Sequence, residues 1–457
     1  MLHDLTKGNL FSILIKFTLP LFLVNILQLT YNAVDSIIVG KFVSSTALAA
    51  VGTSNPVMTL VIMFVQGITL GSSILIGNFF GARNYDQLKK QISTAMISGT
   101  IFSALMALLI VVFAGDLLSI LQVDESILPM AAGYLRIVGA GLIFSYIYNF
   151  FANTLRALGD SRSPLYFLAI SAVLNIFGDL LLVVVFHMGI TGCAISTVIC
   201  EALSCLLCWI YIVRKVPLLN MGREWLRFDG FMLKRTLQYG TVSAIQQSTV
   251  QMGIVGVQGL VNSLGAVATA AFAAANRIDD FALIPGRSIA NAMTSVMAQN
   301  VGAGKKKRVF KAFQIGMGIE IFFGVIAGIL LLVLANPLMV LFTDDPAVIQ
   351  EGETYLHLIA LMYVLPAVTN GLQGYFRGVG DLKITLISSL INMGSRFASC
   401  MVYIKVLHLG IRSVPFACMT GWVVMIIYEV PYLIQFHRRM NREKDEPGDE
   451  LKDEPGG

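Results

Sequence analysis

The sequence predicts an all-α membrane protein in which twelve transmembrane helices form two six-helix lobes related by a parallel internal repeat. Three observations support this fold class. Of the 457 residues, 56% are hydrophobic and 13% are charged, and the mean hydropathy is +0.76, whereas a soluble domain carries about 25% charged residues. Long apolar runs recur along the whole chain, and residue patterns of the first half return in the second half at a constant spacing.

The apolar runs are each about 20 residues long or longer, which is the length that a helix needs to cross the hydrocarbon core of a bilayer. The first run is too long for a cleavable signal peptide and has no small-residue cleavage site, so we expect it to be a retained helix. The predicted spans, in chain order, are residues 11–40, 53–80, 91–113, 130–154, 164–186, 190–213, 235–262, 268–299, 310–334, 351–375, 383–404 and 409–436.

The connections between these spans alternate in charge. Every second connection is basic, and those between carry acids or no charge. Because cytoplasmic loops hold the excess of Lys and Arg, we expect both termini in the cytoplasm of a multi-pass protein of the plasma membrane. The net charge of +5 is spread over these loops, so a nucleic-acid partner is not expected. The basic residues are Arg83, Lys89, Lys90, Arg156, Arg162, Arg214, Lys215, Arg223, Arg227, Lys234, Arg235, Lys305, Lys306, Lys307, Arg308, Lys311, Arg377, Lys383, Arg438, Arg439, Arg442 and Lys444.

The internal repeat has an offset of 221 residues: Asn149 recurs as Asn370, and Arg156 recurs as Arg377. Each half has an even number of spans, so the second half starts on the same side as the first and the repeats are parallel. Two such lobes around a central cavity can rock against one another, which favours transport. The predicted units are residues 1–214 (N-terminal lobe), 215–234 (cytoplasmic linker), 235–436 (C-terminal lobe) and 437–457 (disordered cytoplasmic tail).

The first span carries a polar stripe formed by Asn25, Gln28, Asn32 and Asp35. Spacings of three, four and three residues place these side chains on one face of a helix. An ionisable group in hydrocarbon costs about 2.5 to 3.5 kcal/mol on insertion scales, so it usually faces a protein interior or a watery cavity and marks an ion or proton path. Asp35 is therefore a candidate functional residue.

A second intramembrane acid, Asp179, follows Asn175 by four residues on the fifth span, so the two share a helix face. The first and fifth spans both start in the cytoplasm, which places Asp35 and Asp179 at a similar depth in their outer halves. The sixth span adds Thr197 and Glu201 near this level. Carboxylate, amide and hydroxyl oxygens suit a hard monovalent cation, and two carboxylates in a low dielectric suit a shared proton.

Structural interpretations remain open for several polar residues. A single Asn or Thr in a membrane helix often only hydrogen-bonds a neighbouring helix. The turns around Arg156 and Arg377 lack the Gly pattern and Lys of a phosphate-binding loop, so a structural role is favoured for them. We interpret the cysteines as packing residues without metal-ligand partners at usable spacing. These are Cys193, Cys200, Cys205, Cys208, Cys400 and Cys418.

The C-terminal lobe does not repeat the acidic pair. With a four-residue gap in the alignment of the repeats, Asn392 and Arg396 take the places of Asn175 and Asp179. We expect this lobe to supply substrate surface, with the acids of the eighth span lining the cavity or pairing with each other or with Arg396. The candidate cavity residues of both lobes are Gln28, Tyr31, Asn32, Gln247, Gln251, Asp279, Asp280 and Arg396.

Several motifs together resemble the multidrug and toxic compound extrusion (MATE) family over essentially the whole folded chain. This resemblance implies twelve helices in two lobes, and export of amphipathic, often cationic compounds in exchange for inward sodium ions or protons. The stretches that resemble the family are Pro20-Leu21, Tyr31-Asn32-Ala33-Val34-Asp35, Val39-Gly40, Gly77-Asn78 to Gly81-Ala82, Arg156 to Asp160, Leu174 to Asp179, Ala275 to Pro285 and Gln299 to Gly304.

The resemblance is closer to the DinF-like branch of the family. It implies that Asp35, Asn175, Asp179 and Thr197 form the cation site, and that they are the metal ligands if the ion is sodium. The second-lobe acids of the NorM-like branch are missing here, so a sodium site is not expected in that lobe. We expect no cofactor besides the coupling ion, drug substrates and membrane lipids as partners, and a monomer.

Two other functions remain as alternatives. A lipid-linked oligosaccharide flippase of the same superfamily would need a cationic cavity for pyrophosphate, with Arg287 and Arg396 exposed in a lateral portal. A membrane-embedded enzyme is disfavoured, because the sequence offers no nucleophile–base pair or metal-ligand cluster.

Overall fold

A computed structural model describes residues 3–442, and within that range the chain forms fourteen α-helices and no strand. The bounds are Leu10–Phe42 (α1), Ser45–Gly81 (α2), Tyr85–Ile120 (α3), Leu128–Ala140 (α4), Leu142–Ala157 (α5), Arg162–Asp179 (α6), Gly189–Lys215 (α7), Gly230–Asn262 (α8), Ala266–Gly302 (α9), Lys306–Val340 (α10), Pro346–Ala360 (α11), Val364–Gly378 (α12), Leu382–Lys405 (α13) and Ser413–Arg442 (α14). The helices of each half form one lobe. Most of the predicted tail lies outside the described residues, and its first six residues belong to α14.

The fourth and tenth spans are each broken in two, which the sequence analysis did not predict. The axes of α4 and α5 differ by 42°, and those of α11 and α12 differ by 55°. The first break is at Gly141 and the second at 361–363, so the two breaks are one repeat apart. In the second, Pro366 lies in the first turn of α12, where its missing N–H and its ring prevent a continuous helix from α11.

Twelve spans arise when each bent pair is counted as one. By length and apolarity, seven helices of the described chain meet the requirements of a membrane span alone, and the two bent pairs bring the number to nine. The remaining three, α8, α9 and α13, are long enough but more polar. Their polarity fits a position inside the protein, because α8 and α9 both pack against α2 of the other lobe and α13 packs against α8.

Several helices extend beyond the predicted apolar runs because polar residues cap their ends. The Ser44 side chain accepts a hydrogen bond of 3.0 Å from the backbone N–H of Ala47, so α2 begins eight residues earlier than predicted. Asn84 accepts one of 3.2 Å from the backbone N–H of Gln87 at the start of α3. Apolar runs mark the part of a helix inside hydrocarbon, whereas caps satisfy the first N–H groups outside it.

The start of α1 and the end of α14 lie on one side of the molecule, which we call the basic face. There the Lys305 ammonium donates to the Thr6 carbonyl oxygen at 2.8 Å, and the rings of Phe310 and His437 stack with centroids 4.3 Å apart. The linker is ordered in two 3₁₀ turns, Pro217–Leu219 and Gly222–Leu226.

The two lobes meet closely in the halves of α2, α8 and α9 nearest the basic face. A Cβ atom added at Gly71 would lie 2.6 Å from the backbone nitrogen of Gly240, and one at Gly81 would overlap the carbonyl of Gln299. The Gln299 amide also donates to the Ala157 carbonyl oxygen at 2.7 Å. These contacts close the space between the lobes at the basic face.

Candidate functional site

Three helices of the N-terminal lobe converge on one acidic cluster. Asp35 comes from α1, Asp179 is the last residue of α6, and Cys193 lies near the start of α7. One ligand atom from each of these side chains lies within 4.8 Å of the others. Asp179 is fully buried and Asp35 is partly buried. The structure therefore brings the two carboxylates together at one level of the bundle.

The cluster contains more buried acceptor oxygens than donors. Among the described residues, Oδ1 of Asp35, Oδ1 of Asp179 and Oδ1 of Asn175 have no hydrogen-bond partner. The other polar atom of Asn175, its Nδ2, donates to the Ser196 hydroxyl at 3.3 Å. A buried polar group without a partner costs about 1 to 3 kcal/mol. A bound proton or a small cation would supply what these oxygens lack.

Cys193 was not expected to belong to this site. Its thiol donates to Oδ2 of Asp179 at 3.6 Å, so the expectation that every cysteine is only a packing residue fails at this position. Thr197 lies one turn further along α7, and its hydroxyl donates to the Cys193 carbonyl oxygen at 3.0 Å. Side chains four residues apart share a helix face. The placement of Thr197 at the cation site therefore predicts that Cys193 faces the same site.

The backbone changes from an α-helix to a π-helix directly after Asp179. Residues Leu180–Val185 form a π-helical segment that continues α6. Such wide turns often occur at functional sites in membrane and soluble helices. The segment contacts both α1 and α7, the two helices that bring the other members of the acidic cluster.

A cavity lies beside the acidic cluster within the N-terminal lobe, and we call it the lobe cavity. Four predicted candidate residues line it, namely Gln28, Tyr31, Asn175 and Thr197, and Glu201 lines it as well. Its lining residues are Gln28, Tyr31, Ser145, Tyr148, Asn149, Leu168, Ser171, Ala172, Asn175, Thr197, Cys200, Glu201 and Ser204.

A larger cavity lies between the lobes, next to the contacts that close the basic face, and we call it the central cavity. It is lined by residues of both lobes, and it shares Gln28, Tyr148 and Asn149 with the lobe cavity. Its lining residues are Leu21, Val24, Asn25, Gln28, Gln66, Leu70, Ser73, Tyr148, Asn149, Asn153, Arg156, Gln247, Asn291, Thr294, Ser295 and Arg377.

The other predicted cavity residues do not line either cavity. Asn32 is exposed, and Gln251 and Arg396 lie elsewhere in the protein. Asp279 accepts a hydrogen bond from the Tyr363 hydroxyl.

Asp280 forms an ion pair with Arg287 at 3.2 Å, a partner that was not expected, whereas Asp279 interacts electrostatically with Arg396, which was one of the expected pairings. Asp280 and Arg287 are seven residues apart on α9, which is two helical turns and therefore the same helix face. Asp280 therefore has its charged partner within α9, and neither residue of the pair lines the lobe cavity or the central cavity.

These features define a class of protein. Twelve spans in two repeat-related lobes surround a central cavity closed at one face, and an intramembrane acidic cluster lies beside a second cavity within the N-terminal lobe. A multi-pass membrane transporter has this organisation.

The chain belongs to the MatE family, whose model matches residues 20–181 and again residues 243–402. The two matches end 221 residues apart, which is the offset of the internal repeat.

Relatives and solved structures agree with this assignment. The chain is 29% identical over 391 residues to the probable multidrug resistance protein YpnP of Bacillus subtilis (strain 168), covering 85% of this chain and 87% of the relative. It is 30% identical over 369 residues to the probable multidrug resistance protein YoeA of the same organism, covering 79% of each. The crystal structure of MATE in the bent conformation aligns with a TM-score of 0.89 at 19% identity, over 96% of this chain and 98% of that one. The structural match supports the fold alone.

Proposed function

We propose that this protein is a cation-coupled antiporter that exports amphipathic or cationic drugs across the plasma membrane by alternating access. The observation that supports coupling most strongly is the group of unpartnered, buried oxygens on Asp35, Asn175 and Asp179. Two carboxylates with unmet hydrogen-bonding capacity in a membrane helix bundle suit a proton or a sodium ion. The names of the relatives support drugs as the exported substrates.

A route from the acidic cluster to the lobe interface runs along α1. Asp35 lies near one end of this helix, and Asn25, nearer the basic face, donates to the Ser288 hydroxyl of α9 at 3.0 Å. Pro20 lies between the start of α1 and Asn25 and interrupts the backbone hydrogen bonds of the helix, so α1 can bend there. Loading a proton or sodium ion at Asp35 and Asp179 would repack or bend α1, change the lobe cavity and expel the drug outward.

Exchange requires that the cation and the drug each favour a different arrangement of the lobes, because a ligand shifts an equilibrium only by its differential affinity. We place the cation site in the N-terminal lobe, as in the DinF-like branch, with Asp35, Asn175, Asp179 and Thr197 as its ligands. With the basic face in the cytoplasm, closure of that face corresponds to an outward-facing arrangement. Both lobes come from one chain, so a monomer suffices.

A lipid-linked oligosaccharide flippase is not favoured. That function predicts free arginines at a lateral portal, whereas Arg287, one of the two expected there, pairs with Asp280 at 3.2 Å. The names of the relatives support drug export instead.

The proposal is tested by ethidium accumulation in bacteria that lack their major efflux pumps. Cells that produce the protein should accumulate several-fold less ethidium than cells with an empty vector, and dissipating both the proton and the sodium gradient should remove the difference. Equal accumulation in the two strains, at verified membrane abundance and across a panel of cationic dyes, would contradict drug export.

A further inference from the structure

We infer that the end of the central cavity nearest the basic face binds an anionic group, a phosphate or carboxylate of an amphipathic molecule, between Arg156 and Arg377. This inference rests on the proposed function, because it concerns what the exporter's central cavity accepts. It extends the substrate range from cationic drugs to molecules that carry an oxyanion.

The charge of the cavity wall is the first observation. Arg156 and Arg377 are the two charged residues among those that line the central cavity, and no carboxylate is among them. They lie in the last turns of α5 and α12 and are repeat partners 221 residues apart. One arginine therefore comes from each lobe, and a single anion held between them would bridge the lobes.

The second observation is that the Arg156 guanidinium has unused hydrogen-bonding capacity. Its Nη1 donates to Oδ1 of Asn153 at 3.2 Å, while its Nε is buried and has no partner among the described residues. A guanidinium has five N–H donors in a planar fork that matches the oxygens of a carboxylate or phosphate. Because Nε is shielded from the cavity by its burial, the Nη1 and Nη2 groups are the donors that an anion would meet.

Arg377 is held differently. Its Nε donates to the Gln373 carbonyl oxygen at 3.2 Å. Two buried acids of its own lobe, Glu320 and Glu429, attract it electrostatically, but neither lines the cavity. The positive charge of Arg377 is therefore partly compensated by acids outside the cavity. Arg156 is the better position for a test, because no acid among the described residues has been found to compensate its charge in this way.

The turn that follows Arg156 does not need its guanidinium. Asp160 organises that turn by accepting hydrogen bonds from the backbone N–H of Arg162 at 3.1 Å and from that of Ser163 at 3.0 Å. The sequence analysis assigned the whole motif a structural role. In the structure, that role belongs to Asp160, while Arg156 lines the central cavity.

The rest of the cavity wall suits an amphipathic anion. Side-chain amides of Gln66, Asn149 and Asn291 add neutral N–H groups to the wall of the same cavity, and Leu21 and Leu70 add apolar surface. Amide and guanidinium donors can surround an oxyanion, whereas an organic cation would meet two positive charges here.

The test compares riboflavin with riboflavin 5′-phosphate, a fluorescent pair that differs by one phosphate group, in titrations of the purified full-length protein. The wild-type protein should bind the phosphate at least about tenfold more tightly, the effect of a hydrogen bond to a charged group. Arg156→Gln should bring the affinity for the phosphate to that for riboflavin, and Arg156→Lys should restore part of the difference. Arg162→Gln, an exposed arginine six residues away, should leave it unchanged.

A second arm distinguishes a soluble anion from a lipid headgroup. The same titrations use fluorescently labelled short-chain phosphatidic acid and the matching diacylglycerol. A phosphate preference confined to the lipid pair, and lost in Arg156→Gln, would assign the site to a headgroup. The inference is overturned if neither pair shows a phosphate preference, or if Arg156→Gln binds the phosphates like the wild-type protein while thermal melting shows that both are folded. These titrations need no cation gradient, so failure of coupled export would leave their outcome unaffected.

Discussion

Neutralising either acid of the cluster, by Asp35→Asn or Asp179→Asn, is expected to reduce drug efflux from cells by more than about tenfold, within the range of an allosteric coupling energy. Asparagine keeps the size of the side chain but can neither take up a proton nor compensate a cation's charge. The cluster would then stay in one state, and the lobe arrangement would no longer respond to the cation. The measurement is the initial rate of ethidium efflux at matched membrane abundance.

The control for this experiment is Asp344→Asn, which removes an exposed acid from the loop between α10 and α11. It should retain the wild-type efflux rate. Export at the wild-type rate by the double variant of Asp35 and Asp179 would show that coupling does not depend on this cluster.

A large side chain at Gly71 is expected to prevent closure of the basic face. A Cβ atom there would lie 2.6 Å from the backbone nitrogen of Gly240, so the leucine of Gly71→Leu must push α2 and α8 apart. We expect export to fall by more than about tenfold, because a bistable interface held in one arrangement cannot alternate. Gly52→Leu is the matched control on the same helix, since a Cβ at Gly52 meets nothing within 4 Å.

The opening itself can be measured with a cysteine at Ser73, which lines the central cavity. In inside-out vesicles, a membrane-impermeant maleimide should label Ser73→Cys several-fold faster when Gly71→Leu is also present, with the native cysteines as background. Equal labelling with Gly71→Leu and with Gly52→Leu would contradict the role of this contact in closure.

The fold was largely predictable because the bilayer imposes a simple length rule. A span needs about 20 apolar residues, and the repeat fixed the number of helices in each lobe. The bends at Gly141 and before Pro366 were not predicted, because an apolar run looks the same whether its helix is straight or broken. Helix ends such as the one at Ser44 were missed because caps lie outside the apolar runs.

The acidic cluster was partly predictable because acids are rare in membrane helices. Asp35 and Asp179 could be selected from their depth alone, and the structure brings them together. Cys193 was missed since a thiol in an apolar helix resembles a packing residue. Arg156 was assigned to a turn because the sequence does not show how far a helix is rotated about its axis, and that rotation directs the side chain into the cavity. Asp280 was expected to line the cavity or to pair with Asp279 or Arg396, and its ion pair with Arg287 of the same helix was missed.

The central claim is that a cation bound at Asp35 and Asp179 drives export. Its most direct test is substrate efflux from proteoliposomes containing the purified protein, with a proton gradient and a sodium gradient imposed separately. The account predicts that at least one of these gradients accelerates efflux in the wild-type protein and that neither does so in Asp35→Asn. Efflux at one unchanged rate under every gradient, or an equal acceleration in wild type and Asp35→Asn, would contradict it.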